Sequence, residues 1–538
     1  MKHTTCPGSI APAFTRRGFH QQAFTGLGML ALCVLLFCHA TCAAQGSGIN
    51  NAALIPKVVP DNEVKMEGMS PDWVKTLIMA QLRIETATPE GTFAAATGVL
   101  DHFAELGVNG LWINPIYERG SKGNGYGNFG PHTIEPLLTG TSDLPGSFQV
   151  VKHFVDEAHR RNIRVIFDIV VWGTTANSPL VAAHPEIYLK ANGQFAGAWG
   201  GYAFDWNSKD LKTWFTKAAV ELIEKTGADG FRVDLAPDIS GHYFKEIREA
   251  LHAMGRKIIV VSEMNSQRSG TFDFEQVSVH GWTEEGDLVT PGKWAEQQRR
   301  FGKHNDYLFR SNLVETIQTG AGIGKASPQQ EGRGGMDRFY TSNLLHHDDT
   351  VPFVTGNRVR MAYSSILAPF IPMWWIGEEW DNPKVPLPGS DGAMYFNTID
   401  WSLLERPANR AFFEDTKQTI RIRRTYPEIF EHFPENAREA NIAKLDTRNN
   451  GVPNKLQAYA RFGGGKAVLV VPNYGAVERT QFIVTPDFAA LHLGSAAAYQ
   501  ATDLMSGKVI ASENAADLKS FPVEIEGEHL GIYLVEMK

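Results

Sequence analysis

Cysteine is nearly absent from this 538-residue chain: Cys6, Cys33, Cys38 and Cys42 are the only four, all in the first 42 residues. A mature protein cut shortly after them would have no disulfide, and a chain of this length can instead rest on its own core. Excess positive charge is also missing. The formal charge is −8, and it becomes −11 once Lys2, Arg16 and Arg17, the only charged residues in the first 44, are removed. An acidic balance of that kind argues against a nucleic-acid partner, which calls for a basic face. There is no tandem repeat and no low-complexity block. What remains, 43% hydrophobic and 20% charged, is the composition of a globular protein too long for a single core.

Residues 1–44 run from basic, through an apolar stretch over about 23–38, to the small residues Thr41-Cys42-Ala43-Ala44. That order is an export signal. Thr15-Arg16-Arg17-Gly18-Phe19 resembles a twin-arginine signature, with a general secretory signal as the alternative. The apolar stretch is shorter than the roughly 20 residues that span a bilayer, so no stable membrane anchor is expected after cleavage. His39 stands where a lipobox usually has Leu, which argues against lipidation of Cys42. The expected location is periplasmic or secreted.

From about residue 70, apolar runs of strand length alternate with stretches of helical period. Strands are expected at 76–84, 110–115, 164–171, 230–235, 257–263, 272–279, 339–346 and 369–375, with helices such as 148–160 and 210–226 between them. Eight such units predict an α/β fold, a (β/α)8 barrel over 45–430. A Gly-, Trp- and Phe-rich insertion at about 172–209 follows its third strand. From 431 to 538 short β-rich runs at 456–462, 467–472, 481–484 and 531–535 predict a C-terminal β-sandwich.

A barrel of this kind builds its site at the C-terminal ends of its strands. Asp168, Asp234, Glu263 and Asp348 fall at or near four of those ends. A carboxylate ending a buried strand is costly to desolvate unless paired, so either catalysis or an ion pair must account for it. Asp234 and Glu263 sit on adjacent strands, which can bring two carboxyls to the separation of about 5–5.5 Å that suits retaining glycoside hydrolysis. Arg232, two residues before Asp234, shares its face and would hold it ionised, as a nucleophile requires. Glu263 must instead begin protonated, as in a drier pocket or beside the Asp234 charge.

These residues resemble glycoside hydrolase family 13, the α-amylase family. Its strand-4 motif is matched by Asp229-Gly-Phe-Arg-Val-Asp-Leu-Ala236, its strand-5 acid by Glu263 and its strand-7 motif by His346-His347-Asp348. Asn124-Gly-Tyr126, Pro369-Phe-Ile-Pro-Met-Trp-Trp-Ile-Gly-Glu-Glu379 and Ile420-Arg-Ile-Arg-Arg424 extend the likeness in the family's order. The resemblance implies an α-linked carbohydrate substrate and a covalent glucosyl intermediate on Asp234, with Glu263 as general acid/base. It implies that Asp348 and His347 bind sugar hydroxyls, that Tyr126 stacks on the sugar, and that Asp168 supports Arg232 from behind rather than touching substrate.

The likeness fails at the strand-3 motif, where Trp172 and Gly173 replace the family's Asn and His. The sugar contact and the calcium ligand of those positions are therefore lost. Asp205 resembles another calcium ligand, but one carboxylate does not make a site of six to eight oxygens, so no calcium is expected at the family's usual site and no other cofactor is expected, with calcium dependence itself left open. Pro237-Asp238 stands where endo-amylases carry Lys-His, and Gly127 where exo-glucosidases carry Asp. Among the tryptophans, Trp172, Trp199, Trp206, Trp374, Trp375 and Trp380 could line the site or fill a core. Trp374 is assigned to the core, while Trp172 and Trp206 are assigned to the mouth, with Trp172 as a sugar contact. A transglycosidase or sugar isomerase with the same acids, and a non-catalytic glycan-binding relative, remain open alternatives.

Overall fold

The computed structural model describes residues 49–50, 71–119, 125–198, 200–234, 243–262, 274–277, 314, 341–343, 357–367, 371–383, 398–431, 441–449, 456–474, 478–494, 498–513 and 517–538. The expected export signal, 1–44, lies outside them. Eight strands pair in parallel and close on themselves: β1 (Met79–Leu82), β2 (Gly110–Ile113), β3 (Arg164–Val170), β4 (Gly230–Asp234), β5 (Ile259–Ser262), β6 (Phe274–Val277), β7 (Thr341–Asn343) and β8 (Ile371–Trp375). Each falls within its expected run and is shorter at one or both ends. The reason is that apolar burial continues past the ladder: Leu77 and Ile78 before β1, and Val171 after β3, are as buried as the strands they flank.

Successive strand side chains point to opposite faces, so each strand supplies two layers. Met79, Trp112, Ile166, Ile259, Val261, Ile371 and Met373 form one cluster, the barrel's apolar floor. The residues alternating with them, among them Ala80, Leu111, Val165, Phe167, Phe231 and Val260, belong to the larger core against the helices. One step further along the inward rows the chemistry changes. Gln81, Asn114, Asp168 and Arg232 are all buried there, and this switch from apolar to polar marks the level of the site.

The helices that wrap the barrel begin and end on ordinary local signals. In α1 (Leu144–Arg160) the Asp143 carboxylate accepts from the Gly146 N–H, and Phe148, Val151, Phe154, Val155 and Ala158 face inward. In α2 (Lys209–Thr226) the Ser208 hydroxyl caps the Leu211 N–H, and Gly227 ends the helix in the left-handed region. Further along come α3 (Phe244–Ala253), α4 (Asn357–Ile366) and α5 (Pro407–Thr425). Among the described residues no helix is long and apolar enough to cross a membrane.

The insertion after β3 is a small antiparallel sheet of Gly173–Thr175, Gly201–Ala203, Gln194–Ala198 and Lys190–Ala191. The C-terminal part is two antiparallel sheets, one of six strands and one of three, with a separate core that includes Leu469, Phe482, Val484, Tyr499, Phe521 and Val535. Polar contacts tie it to the barrel's last helices. The Tyr363 hydroxyl of α4 donates to the Gln457 carbonyl at 2.7 Å, and Gln418 of α5 donates to the Leu504 carbonyl at 2.8 Å. Burial lowers the pKa of Arg423 on α5 to about 9 and that of Arg461 in the sandwich to about 10.

Candidate functional site

The ladder between β3 and β4 sets the height of each polar group. Asp168 pairs with Arg232 and Val170 with Asp234, so Asp168 sits one inward layer below Asp234, with Arg232 on its own level. The Arg232 guanidinium joins them: its Nη1 donates to Asp168 Oδ1 at 3.0 Å and Oδ2 at 3.1 Å, and to Asp234 Oδ1 at 2.9 Å. Asp168 is fully buried, Arg232 is 2% exposed and Asp234 is 8% exposed. Two carboxylates therefore share one cation where water barely reaches, and only the upper one faces the mouth. Such a pair of acids is tolerated in so dry a place because the guanidinium is charged and hydrogen-bonded to both.

Asp168 has further donors. The Trp112 indole donates to its Oδ2 at 3.1 Å and the Tyr126 hydroxyl to the same oxygen at 2.8 Å. The Arg232 guanidinium also lies over the Trp112 ring, 4.7 Å from the centroid, a favourable place for a cation on an aromatic face. The Tyr117 hydroxyl donates to the Asp168 backbone carbonyl at 2.9 Å, and burial together with the Asp168 charge holds its phenol well above the usual range. Trp112, Tyr117, Asn114 and Gln81 are site residues that the sequence reading missed. The available signal was a polar residue within an otherwise apolar strand: Gln81 in Met-Ala-Gln-Leu, and Asn114 just after Gly-Leu-Trp-Ile.

Of the candidates, Asp168, Arg232, Asp234, Tyr126 and Trp172 come together on or beside β3 and β4. Trp172 is 3% exposed, and its indole donates to the Tyr126 backbone carbonyl at 3.1 Å, bracing the tyrosine from behind. Trp206 differs from expectation. It is buried, its indole donates to the Val171 carbonyl at 2.8 Å, and it packs against Phe215 and Tyr243, so it anchors the insertion in the core instead of standing at the mouth. Trp374 is buried, with its indole on Glu379 Oε2 at 3.0 Å. Glu263, His347 and Asp348 lie outside the described residues, as do Asn124 and Trp199. Ser262, the last described residue of β5, pairs with Val233, and in the sequence Glu263 follows the one and Asp234 the other. Among the described residues no group of three or more His, Cys, Asp or Glu is placed to hold a metal ion.

The geometry explains why position 173 is glycine. Gly173 pairs with Ala203, and a Cβ on it would lie 2.0 Å from the Tyr202 carbonyl oxygen and 2.9 Å from the Ala203 Cα. No side chain fits while that pairing stands. Gly173→Ala is expected to destabilise the protein by about 2–3 kcal/mol through overpacking. A urea midpoint equal to that of the parent would show that the insertion sheet yields without cost.

Residues 60–180 match the family model described as alpha amylase, catalytic domain. The chain is 25% identical over 348 residues to a malto-oligosyltrehalose trehalohydrolase of Deinococcus radiodurans, a match covering 56% of this chain and 52% of that protein. It is 26% identical over 386 residues to the enzyme of the same name from Saccharolobus solfataricus, covering 63% of each. The chain thus spans about half to just under two thirds of those relatives. Its fold is similar to that of a noncanonic maltogenic α-amylase of Thermotoga neapolitana, with a TM-score of 0.60 at 17% identity over 86% of this chain and 100% of the other.

Proposed function

We propose that the chain is a member of the α-amylase family, glycoside hydrolase family 13, and a retaining enzyme acting on α-glucosidic bonds of oligo- or polysaccharides. One observation carries the reading: Asp234 ends β4 at the barrel mouth with its carboxylate held on the Arg232 guanidinium at 2.9 Å. The cation keeps that acid ionised, which is the state a nucleophile needs, while Asp168 below holds the cation in place. Asp234 attacks the anomeric carbon and forms a glucosyl ester. Glu263, next in sequence after β5, protonates the departing oxygen and then takes a proton from water or an acceptor sugar. Asp348 and His347 bind ring hydroxyls, and Tyr126 presents its ring to the sugar being cleaved.

The same reading has the enzyme work without calcium at the family's usual site. Trp172 brings an indole donor where an oxygen acceptor is needed, Gly173 has no room for a side chain, and Asp205 Oδ1 accepts from the Asn207 N–H at 3.0 Å. It also places the enzyme in the periplasm or outside the cell, supported by the basic, apolar and small order of residues 1–44.

The test is to purify residues 45–538 and incubate them with maltose, malto-oligosaccharides, malto-oligosyltrehalose, trehalose, sucrose and soluble starch. Products are resolved by chromatography and the first-formed anomer is read by proton NMR. Release of α-anomers, or transfer to a second sugar, is the expected result. First-formed β-anomers, or no change in any sugar at high protein concentration, would overturn the proposal.

A further inference from the structure

Behind Tyr126 runs a line of amides from the first two strands. Gln81 Nε2 of β1 donates to Asn114 Oδ1 at 3.1 Å, Asn114 Nδ2 donates to the Tyr126 hydroxyl oxygen at 3.2 Å, and that hydroxyl donates to Asp168 Oδ2 at 2.8 Å. Gln81 and Asn114 are 0% and 3% exposed, so bulk water does not compete for these bonds. We propose that Gln81 and Asn114 are positioning residues of the site, fixing the direction of the Tyr126 hydroxyl proton so that it is always given to Asp168.

The argument is one of donors and acceptors. A phenol has a single proton and accepts on its lone pairs, whereas an amide NH2 only donates. With Asn114 Nδ2 against it, Tyr126 Oη must accept there, and its proton is left for the carboxylate. The opposite amide orientation would put Asn114 Oδ1 on the hydroxyl and draw the proton away from Asp168. Gln81 opposes that orientation, because turning Asn114 alone would set its Nδ2 against Gln81 Nε2, donor against donor, so both amides would have to turn together. The chain of bonds has a consequence two residues further on. Asp168 Oδ2 is served by Trp112 and Tyr126 as well as by Arg232, so its need for the cation is shared. Arg232 Nη1 is thereby left to extend its third bond to Asp234. The phenol ring, pinned at its hydroxyl by Asp168 and at its backbone by Trp172, keeps a fixed attitude towards the mouth.

The catalytic side of this inference rests on the glycosidase reading, so two readouts are needed. The first is the Raman doublet of the Tyr126 phenol, which distinguishes a hydroxyl that donates from one that accepts; it is isolated as the difference between parent and Tyr126→Phe. Asn114→Leu should remove the accepting half of that signature. Gln81→Glu should change it too without touching Asn114, because an acceptor-only side chain draws Asn114 Nδ2 to itself and turns Oδ1 towards the phenol. The second is a double-mutant cycle on malto-oligosaccharide turnover, with melting temperature as the control for folding. Asn114→Leu should lower kcat about tenfold in the parent with KM changed less than about twofold, and should have almost no further effect in the Tyr126→Phe background.

Equal losses in both backgrounds would mean that Asn114 acts by packing alone, and would overturn the proposal. An unchanged phenol signature in both variants would overturn it whether or not the protein turns over sugar. A changed signature in a protein that turns over no sugar would uphold the hydroxyl's direction and sink the glycosidase reading instead.

Discussion

Asp234→Asn is expected to lower kcat by at least about 10⁴-fold while leaving the protein folded, since loss of a nucleophile removes the covalent route outright. The fold should survive because the asparagine carbonyl oxygen can accept the same bond that Arg232 now gives to Asp234 Oδ1. A slower enzyme alone would not separate a nucleophile from an acid that merely positions its neighbours. Asp234→Ala supplies the distinction, because it leaves room for an external anion. With azide present and a substrate carrying a good leaving group, the anion attacks from the face opposite the departing group. The product is then a glycosyl azide of inverted, β configuration. Recovery of turnover with a β-glycosyl azide identifies Asp234 as the attacking group. Retention of more than about a hundredth of parental kcat by Asp234→Asn would remove it from that role.

Arg232→Met should act in opposite senses on activity and on stability. The substitution keeps an unbranched chain of similar reach and takes away the cation shared by Asp168 and Asp234. Losing a neighbouring positive charge raises the pKa of a carboxyl. Asp234 would therefore become ionised only at higher pH, and the acid limb of kcat/KM would move upward, with the activity deficit greatest in acid and partly relieved in alkali. Stability behaves the other way. Breaking a buried pair costs about 3–5 kcal/mol when the remaining acid stays charged. That cost is greatest at neutral pH and shrinks as the pH falls and the acids take up protons. Urea midpoints at pH 5 and 8, set beside the pH profile of kcat/KM, test both halves. A deficit independent of pH in both measurements would show that Arg232 contributes packing and not charge.

The barrel was legible because its strands carry their information locally. A run such as 164–171 is apolar on both faces, as a strand covered by helices requires, and the helices between the strands declare themselves by period and by caps such as Asp143 and Ser208. The Arg232 and Asp234 pair could be read from a two-residue spacing on one strand. Gln81, Asn114 and Trp112 could not be assigned in that way, since their partners lie 33, 12 and 56 residues distant and meet them only once neighbouring strands pair and the connections after them fold back. Trp206 was misplaced for a related reason. A tryptophan in a glycine-rich insertion looks available to a ligand until the Val171 carbonyl is found opposite its indole nitrogen. The glycine at 173 was visible only as a departure from a motif. Its cause, the Tyr202 carbonyl, belongs to a strand of the insertion that no local pattern pairs with it.

The bonds around Asp168 also bear on how the protein is made. Gln81, Trp112, Asn114, Tyr117, Tyr126, Asp168, Arg232 and Asp234 all lie between positions 81 and 234, on the first four strands or the connections that follow them. A ribosome delivers the N-terminal side of a chain first. Among the described residues, the groups hydrogen-bonded to Arg232 are therefore present in the emerged chain before Glu263 has been added and before β8 can pair with β1. The charged pair and its partners can settle while the barrel is still open, and the second half of translation adds the strands that close it.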